Sequence, residues 1–412
     1  MTALNDNIAL PQPQPAEASV RRRTLVAACS AHAVHDGMTD LIYVLLPIWQ
    51  LQFGLSFAQV GLLRGAYSGV MASFQLLASR AAKRWGRTRL LVGGTALVGV
   101  AYLCVGLADG LPLLLLALML GGLGASTQHP LASSMVSDTY EAGGGVKEAL
   151  SQYNFSGDIG KMLIPALVGV LLTVISWRTS VTLMGLLGLA SAALLGWLIA
   201  ARGVPTAKVK KPVNAGTGSG SVSGLRALML TGIVDSAVRM GFLTFLPFVL
   251  TSKGSGTAGI GLALALLFVG GAFGKLLCGY LGARIGMMKT VWLTESMTAF
   301  LIILVVYLPL TGVMVMLPLL GLALNGTSSV LYGVVPELST PQKREHAFAL
   351  FYTGTIGGGA IAPVLFGRLG DFTGIPVAVM TLAAILLLTL PLSWCVQRGL
   401  DRNALENQTE PT

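Results

Sequence analysis

Long apolar blocks separated by short polar breaks dominate this chain of 412 residues. Each block is long enough, at roughly 20 residues, for one helix to cross the hydrocarbon layer of a membrane. The pattern therefore predicts twelve membrane-spanning helices in two groups of six. We place the first six at 24–50, 57–79, 90–107, 112–136, 149–175 and 178–201, and the second six at 226–250, 257–282, 290–308, 312–336, 346–367 and 375–396.

Polar segments flank and separate the two groups of spans. Residues 1–23 are polar and contain several prolines, which predicts a disordered amino-terminal segment. Residues 202–225 combine lysines with a Gly/Ser run, a composition typical of a flexible basic linker. We therefore predict two six-helix bundles, 24–201 and 226–396, followed by a tail at 397–412.

The two halves of the chain resemble each other at an offset of about 200 residues. A carboxylate followed by a proline recurs in the first and seventh spans, as Asp36 with Pro47 and as Asp235 with Pro247. A duplicated helical unit of this size is typical of a secondary transporter, in which two bundles enclose a central solute site.

Charge is scarce in this chain and unevenly distributed. Charged residues make up 11% of the sequence, against about 25% in soluble proteins, and the formal net charge is +10. With a cytoplasmic amino terminus, twenty of the 27 Lys and Arg residues fall in or beside cytoplasmic segments, and Arg178, Lys253 and Arg368 fall on the opposite side. This bias orients membrane proteins, so we expect contact with a lipid bilayer and no nucleic-acid partner.

Two similar loops follow the second and eighth spans. The first contains Arg84, Gly86 and Arg87, and the second contains Arg284 and Gly286. In these loops, in the number of spans and in the duplication, the chain resembles the major facilitator superfamily over nearly its whole length. The resemblance implies an all-α fold of two pseudo-symmetric six-helix bundles, with both loops switching conformation. Lys83 stands where the family has an aspartate, so an aspartate-based latch does not carry over.

A narrower resemblance rests on the pairs His35-Asp36 and His129-Pro130 and on the segment 55–62. These match the fosmidomycin-resistance branch of the family, mainly in the first half of the chain. The resemblance implies a proton-driven efflux pump for small drugs.

The first predicted span carries titratable groups on one helix face. His32, Asp36 and Asp40 recur every four residues, and His35 lies beside them. A carboxylate in a cavity next to an imidazole can exchange protons near neutral pH. We therefore predict proton coupling through Asp36, Asp40 and His35. The same imidazoles and Asp36, with His129, leave a transition-metal site open as an alternative.

Further charged residues interrupt the apolar spans. An ion in hydrocarbon costs several kcal/mol, so such residues usually face a polar cavity or a partner. We predict a substrate-binding role for Arg64, His129, Asp158, Lys161, Asp235, Arg239 and Lys275. Spacing suggests that Asp158 pairs with Lys161, and Asp235 with Arg239.

Three other intramembrane charges lack a partner at helical spacing. Arg64 and Lys275 are expected to contact an anionic solute or a residue of the other bundle, and snorkelling to the membrane surface is the alternative. Glu295 lies in the ninth span, which is peripheral in the family, and we leave it outside the central site.

The sequence lacks a phosphate-binding loop, a zinc-protease motif and a nucleophile elbow. We therefore expect no enzyme activity, no cofactor and no resident metal. The expectation is a monomeric, proton-coupled exporter of a small polar or anionic compound, in the bacterial inner membrane with both termini cytoplasmic. Proton-symport uptake of an organic anion is the alternative, and a membrane receptor is the alternative from another class.

Overall fold

A computed structural model describes residues 15–141, 144–200, 221–339 and 344–409, and all regular structure within these ranges is helical. The first half contains α1 (Pro15–Phe53), α2 (Phe57–Trp85), α3 (Arg87–Gly106), α4 (Leu111–Ala125), α5 (Gln128–Glu141), α6 (Val146–Leu171) and α7 (Trp177–Ala200). The second half contains α8 (Val222–Ser252), α9 (Thr257–Ile285), α10 (Met287–Tyr307), α11 (Leu310–Val334), α12 (Arg344–Thr373), α13 (Ile375–Leu386) and α14 (Thr389–Thr409), with a 3-10 turn at Val335–Glu337.

The fourteen helices make twelve membrane spans. Helices α4 and α5 form one span, which is interrupted at Ser126 and Thr127, and α13 and α14 form another, which is interrupted at Leu387 and Leu388. The predicted all-α membrane fold of two six-span bundles is confirmed.

Hydropathy alone identifies nine of these spans among the described residues. The three spans that are not apolar enough to be identified in this way are α1, α2 and α6. They carry most of the intramembrane charges of the first bundle, including Asp36, Arg64 and Lys161. The polar content that lowers their hydropathy is therefore concentrated where the bundles face each other.

Some helices extend into segments that we predicted to be unstructured. Helix α1 begins at Pro15, within 1–23, and α8 begins at Val222, within 202–225. Ser221 caps α8 by accepting a hydrogen bond from the Gly224 amide at 3.2 Å. The remainder of the predicted linker, 202–220, lies outside the described residues.

The two bundles meet at one end of the molecule, which we call the sealed end. There α2 packs against α12, and α6 packs against α9. Asp371, near the end of α12, accepts hydrogen bonds from the Phe57 amide at 2.7 Å and the Ala58 amide at 3.1 Å. These amides are the unpaired donors at the start of α2, where the helix dipole favours a carboxylate. The carboxylate of one bundle therefore caps a helix of the other.

Two of the three cations expected on the far side cap helix ends at the sealed end. The Arg178 guanidinium donates to the carbonyls of Gly106 at 3.0 Å and Ala108 at 2.6 Å, at the end of α3. The Lys253 ammonium donates to the carbonyls of Val306 and Leu308, at the end of α10. A cation at a helix carboxyl terminus is favourable, so both charges have a structural function, and the helix ends that they cap belong to equivalent spans of the two halves.

The opposite end, which we call the loop end, carries the α2–α3 and α9–α10 connections. Each connection is a single glycine, Gly86 with a φ of 88° and Gly286 with a φ of 95°. Side chains rarely adopt this backbone conformation, which explains why both repeats carry glycine at the turn.

Gly86→Ala and Gly286→Ala should each lower the free energy of unfolding by about 1–3 kcal/mol, because alanine is strained at positive φ. The measurement is thermal unfolding in detergent. Gly93→Ala in α3 is the matched control: a Cβ there meets nothing within 4 Å, so it should be neutral or stabilising. Equal effects at the loops and at Gly93 would contradict this assignment.

Candidate functional site

A cavity of about 450 Å³ lies between the two bundles. Polar residues of both halves line it, among them His35, Asp36, Asp40, Arg64, His129, Lys161, Asp235, Arg239 and Asn325. Aromatic side chains from α11 and α12, including Tyr332, Phe351 and Tyr352, continue the lining toward the loop end. The cavity therefore combines charged and polar groups with apolar and aromatic walls, and it extends from the middle of the molecule away from the sealed end.

Asp36 is the centre of a polar cluster in the first bundle. Its side chain is 7% exposed. The Lys161 ammonium lies 3.1 Å from Asp36 Oδ2. Three imidazole Nε2 atoms surround the same carboxylate, at 3.4 Å for His32, 3.8 Å for His35 and 3.7 Å for His129. One carboxylate thus contacts four basic groups, from the helices α1, α5 and α6.

His32 is held in one tautomer. Its Nδ1 atom lies 2.8 Å from the Tyr153 carbonyl, which can only accept, so Nδ1 carries a proton. The Tyr153 ring stacks on the imidazole at 4.0 Å between centroids. The other ring nitrogen, Nε2, faces Asp36. We did not assign His32 to the site from the sequence, although its spacing of four residues from Asp36 was visible.

Close packing of α1 against α6 makes room for this cluster. A Cβ at Gly157 would lie 2.6 Å from Asp36 Oδ2 and 2.7 Å from His32 Cε1. A Cβ at Gly160 would lie 1.9 Å from the Ala33 carbonyl oxygen. Both positions therefore require glycine, and they bring Lys161 of α6 to Asp36 of α1.

Arg64 is buried in the first bundle beside Asp40. Its Nη2 atom lies 3.7 Å from Asp40 Oδ1, and its Nη1 atom donates to Ser68 Oγ at 2.5 Å. The guanidinium carbon lies 4.7 Å from the centre of the Tyr43 ring, a cation–π contact that offsets part of the cost of burial. Arg64 is only 3% exposed, so it does not snorkel to the surface.

The pairing of Asp158 differs from the one that its spacing suggested. Asp158 accepts two hydrogen bonds from the Lys275 ammonium, at 2.7 and 2.8 Å. Lys161, its neighbour by helical spacing, contacts Asp36 instead. Lys275 is thus a partner from the other bundle, one of the two roles predicted for it. Neither Asp158 nor Lys275 is among the described residues that line the cavity.

The second bundle contains a compact acidic group. Arg239 donates to Asp235 at 3.3 Å, as the spacing predicted. Glu295 of α10, which we left outside the central site, contacts the Asp235 carboxyl group and is only 1% exposed. We left Glu295 out of the predicted site because its span was expected to be peripheral, although the sequence showed a charged residue within an apolar run.

A metal ion is the alternative for the first-bundle cluster. Donor atoms of His32, Asp36 and His129 lie within 4.8 Å of one another, and nitrogen and oxygen donors suit zinc or a similar ion. The Lys161 ammonium on the same carboxylate repels a divalent cation at this position. The contacts therefore disfavour a divalent metal ion at Asp36.

The predicted switch loops contain one ion pair between spans. Arg87 donates to Asp138 of α5 at 2.6 Å, and Arg284 lies 4.7 Å from the centre of the Tyr280 ring. Arg84 is exposed at the end of α2. The Arg87 pair anchors the start of α3 to α5 within the first bundle.

The family profile described as "Major Facilitator Superfamily" matches residues 28–228 and 228–410. The chain belongs to this family. Membership makes it a multi-pass transporter rather than an enzyme, and it confirms the resemblance inferred from the loops and the repeat.

Curated relatives include proteins named for drug resistance and for export. The chain is 24% identical over 381 residues to the fosmidomycin resistance protein of Escherichia coli K12, covering 88% of this chain and 92% of that protein. It is 30% identical over 162 residues to the cephamycin export protein CmcT of Amycolatopsis lactamdurans, covering 39% of this chain and 33% of the relative. The similarity supports transport by efflux in general terms.

Solved structures share the fold at low sequence identity. A bacterial homologue of the human lysosomal transporter Spinster, in an inward-facing and unoccupied conformation, superposes with a TM-score of 0.75 at 16% identity, over 95% of this chain and 99% of that one. The nucleoside transporter NupG gives a TM-score of 0.71 at 12% identity, over 92% and 99%.

The Asp158–Lys275 pair should behave as a coupled unit in a double-mutant cycle of Asp158→Asn and Lys275→Met. We expect a coupling energy of about 1 kcal/mol, since the Lys275 side chain is 39% exposed and solvent screens the pair. The measurement is thermal unfolding of the purified protein. The control cycle pairs Asp158→Asn with Lys161→Met, and a larger coupling there would contradict the observed pairing.

Proposed function

We propose that this protein is a proton-coupled exporter of a small polar or anionic organic compound or drug. The observation that carries the proposal is the cavity between the bundles, which places cations beside a carboxylate surrounded by imidazoles. Cations at Arg64, Lys161 and Arg239 suit an anionic or polar solute, and gradient-driven transport needs no bound nucleotide. The similarity to efflux proteins supports the direction.

Coupling follows from competition for Asp36 and Asp40. In the described state, Lys161 pairs with Asp36 and Arg64 pairs with Asp40. A proton on either carboxyl group removes its charge and changes its pairing with Lys161 or Arg64. In this mechanism solute binds while the carboxylates are ionised, and the change in pairing releases it on the outer side. Proton and solute then bind alternately to one set of residues, as exchange requires.

The positive-inside rule supports placing the loop end and both termini in the cytoplasm of a bacterial cell, at the inner membrane. The cavity then extends toward the cytoplasm and the sealed end lies outside. A similar fold is described for the Spinster homologue in its inward-facing form. Alternating access would open the sealed end by separating α2 from α12 and α6 from α9.

Flux measurements test the coupling. Purified protein in liposomes should exchange fosmidomycin, the probe suggested by the relative, against an imposed proton gradient. Asp36→Asn and Asp40→Asn together should lower the gradient-driven rate by about tenfold or more, which is about 1.4 kcal/mol in the barrier, because neither asparagine can take up the coupling proton. Asp109→Asn, at an exposed position between α3 and α4, is the control and should keep the wild-type rate.

A wild-type rate in the double variant would remove this coupling mechanism. Absence of fosmidomycin flux in every form would reject this probe, and a panel of small acids and drugs would then be screened by thermal stabilisation.

The Asp371 cap offers a separate test of alternating access. Spin labels at Gln52 and Thr373, both exposed near the sealed end in different bundles, report its opening as a longer distance. Asp371→Ala removes the link to the Phe57 and Ala58 amides, so we expect a larger population at the longer distance.

Ser56→Ala is the matched control for this distance measurement. Ser56 caps the same helix through the Gln59 amide at 3.2 Å but does not link the bundles. It should leave the distance distribution unchanged. Equal opening in both variants would attribute the effect to loss of helix stability instead of loss of the contact between bundles.

Uptake of an organic anion by proton symport is the second candidate, since the same residues can support transport in the opposite direction. Deletion and overexpression strains separate the two directions. Export predicts altered sensitivity to a toxic solute, whereas uptake predicts slower growth of the deletion strain on a carbon source.

A further inference from the structure

The intramembrane charges of this protein do not balance. Four cations form four ion pairs across the described residues, Lys161 with Asp36, Arg64 with Asp40, Lys275 with Asp158 and Arg239 with Asp235. The membrane interior contains five carboxyl groups, those of Asp36, Asp40, Asp158, Asp235 and Glu295. The fifth, Glu295, has no cation of its own, so one carboxyl group is in excess in the membrane interior.

The position of Glu295 makes an uncompensated charge costly. The residue is 1% exposed, and its Oε1 atom is buried without a hydrogen-bond partner. An isolated carboxylate in such a place costs far more than a neutral carboxylic acid. When Glu295 is protonated, its O–H group can donate a hydrogen bond to a neighbour. Oε1 is then the carbonyl oxygen of a neutral acid, which costs less to bury without a partner than a carboxylate oxygen does.

The neighbour that can accept this proton is Asp235. The Asp235 and Glu295 carboxyl groups contact each other, and Arg239 contacts Asp235. Ionising two neighbouring carboxyl groups at once costs free energy, because like charges repel. The single guanidinium of the site compensates only one of them. A single proton between the carboxyl groups satisfies all three side chains.

Other elements around Glu295 bring no further compensating charge. Helix α10 packs against α8, α9, α11, α13 and α14. Helices α11 and α13 contain no charged residue, and α11 contributes the Thr327 hydroxyl. On α9, Lys275 is already paired with Asp158, and Arg284 lies at the loop end. The first charged residue of α14 is Arg398, and the other charged residue of α10 is Lys289.

We propose that Asp235 and Glu295 share one proton and form a proton-binding site in the second bundle, separate from the Asp36 cluster. Asp235 lines the cavity, so water there can deliver the proton, and Glu295 lies behind it. Arg239, whose Nε is buried without a partner, holds the ionised member of the pair. Use of this proton in transport rests on the proposed function; the existence of the site does not.

Infrared difference spectroscopy tests the site directly and needs no solute. Purified full-length protein at neutral pH should show the carbonyl stretch of one buried carboxylic acid, which disappears when the sample is made alkaline. Glu295→Gln removes the acid, so the band should be lost. Asp235→Asn leaves four carboxyl groups for four cations; Glu295 then ionises against Arg239, and the band should again be lost.

Asp109→Asn is the matched control and should retain the band. Absence of the band in the wild-type protein, or its persistence in Glu295→Gln, overturns the proposal. If the band is lost in Glu295→Gln but persists in Asp235→Asn, the proposal that Asp235 shares the proton is overturned.

The pH dependence of thermal stability distinguishes a proton-binding role of Glu295 from a role in helix packing alone. The wild-type protein should lose stability as pH rises and the shared proton leaves, because two carboxylates then face one guanidinium. Glu295→Gln has no such proton and should lose less over the same range. A merely structural glutamate predicts a drop in melting temperature that is the same at every pH, and that result would overturn the proposal. A failure of proton-driven flux would leave both measurements unaffected.

Discussion

The cost of an unpaired ion in the membrane interior is the constraint on which this structure depends. Ionic groups in hydrocarbon are retained only where a partner or water compensates them. The contacts follow this rule closely, because every intramembrane cation of the central region has a carboxylate partner. Three of the four pairs join different helices. The cavity gives water access to every pair except Asp158–Lys275.

The pairs differ in what they hold together. Asp40 with Arg64, and Asp235 with Arg239, lie within one bundle and can persist while the bundles move as rigid bodies. The Asp158–Lys275 pair joins α6 to α9, so any motion that separates these helices must break it. Asp371 joins the bundles in the same way through the amides of α2. Rocking of the bundles thus exchanges a small number of identifiable contacts.

Backbone proximity is what allows these short polar contacts. Glycines 157 and 160 let α6 approach α1 until Lys161 meets Asp36, and the Tyr153 carbonyl fixes the orientation of His32. At the sealed end, helix dipoles replace side-chain charges as partners, since Asp371 and Arg178 both cap helix ends. Packing and electrostatics therefore depend on the same close helix–helix approach.

The sequence by itself determined the spans, the duplication and the identity of most cavity-lining charges, because hydropathy, period and composition are local properties. It also predicted the Asp235–Arg239 pair, which lies within one helix. It did not predict that Asp158 pairs with Lys275 in place of Lys161, that the Tyr153 carbonyl fixes the tautomer of His32, or that Glu295 contacts Asp235. Those contacts join different helices, and only the packing of helices that are distant in sequence decides which polar groups meet.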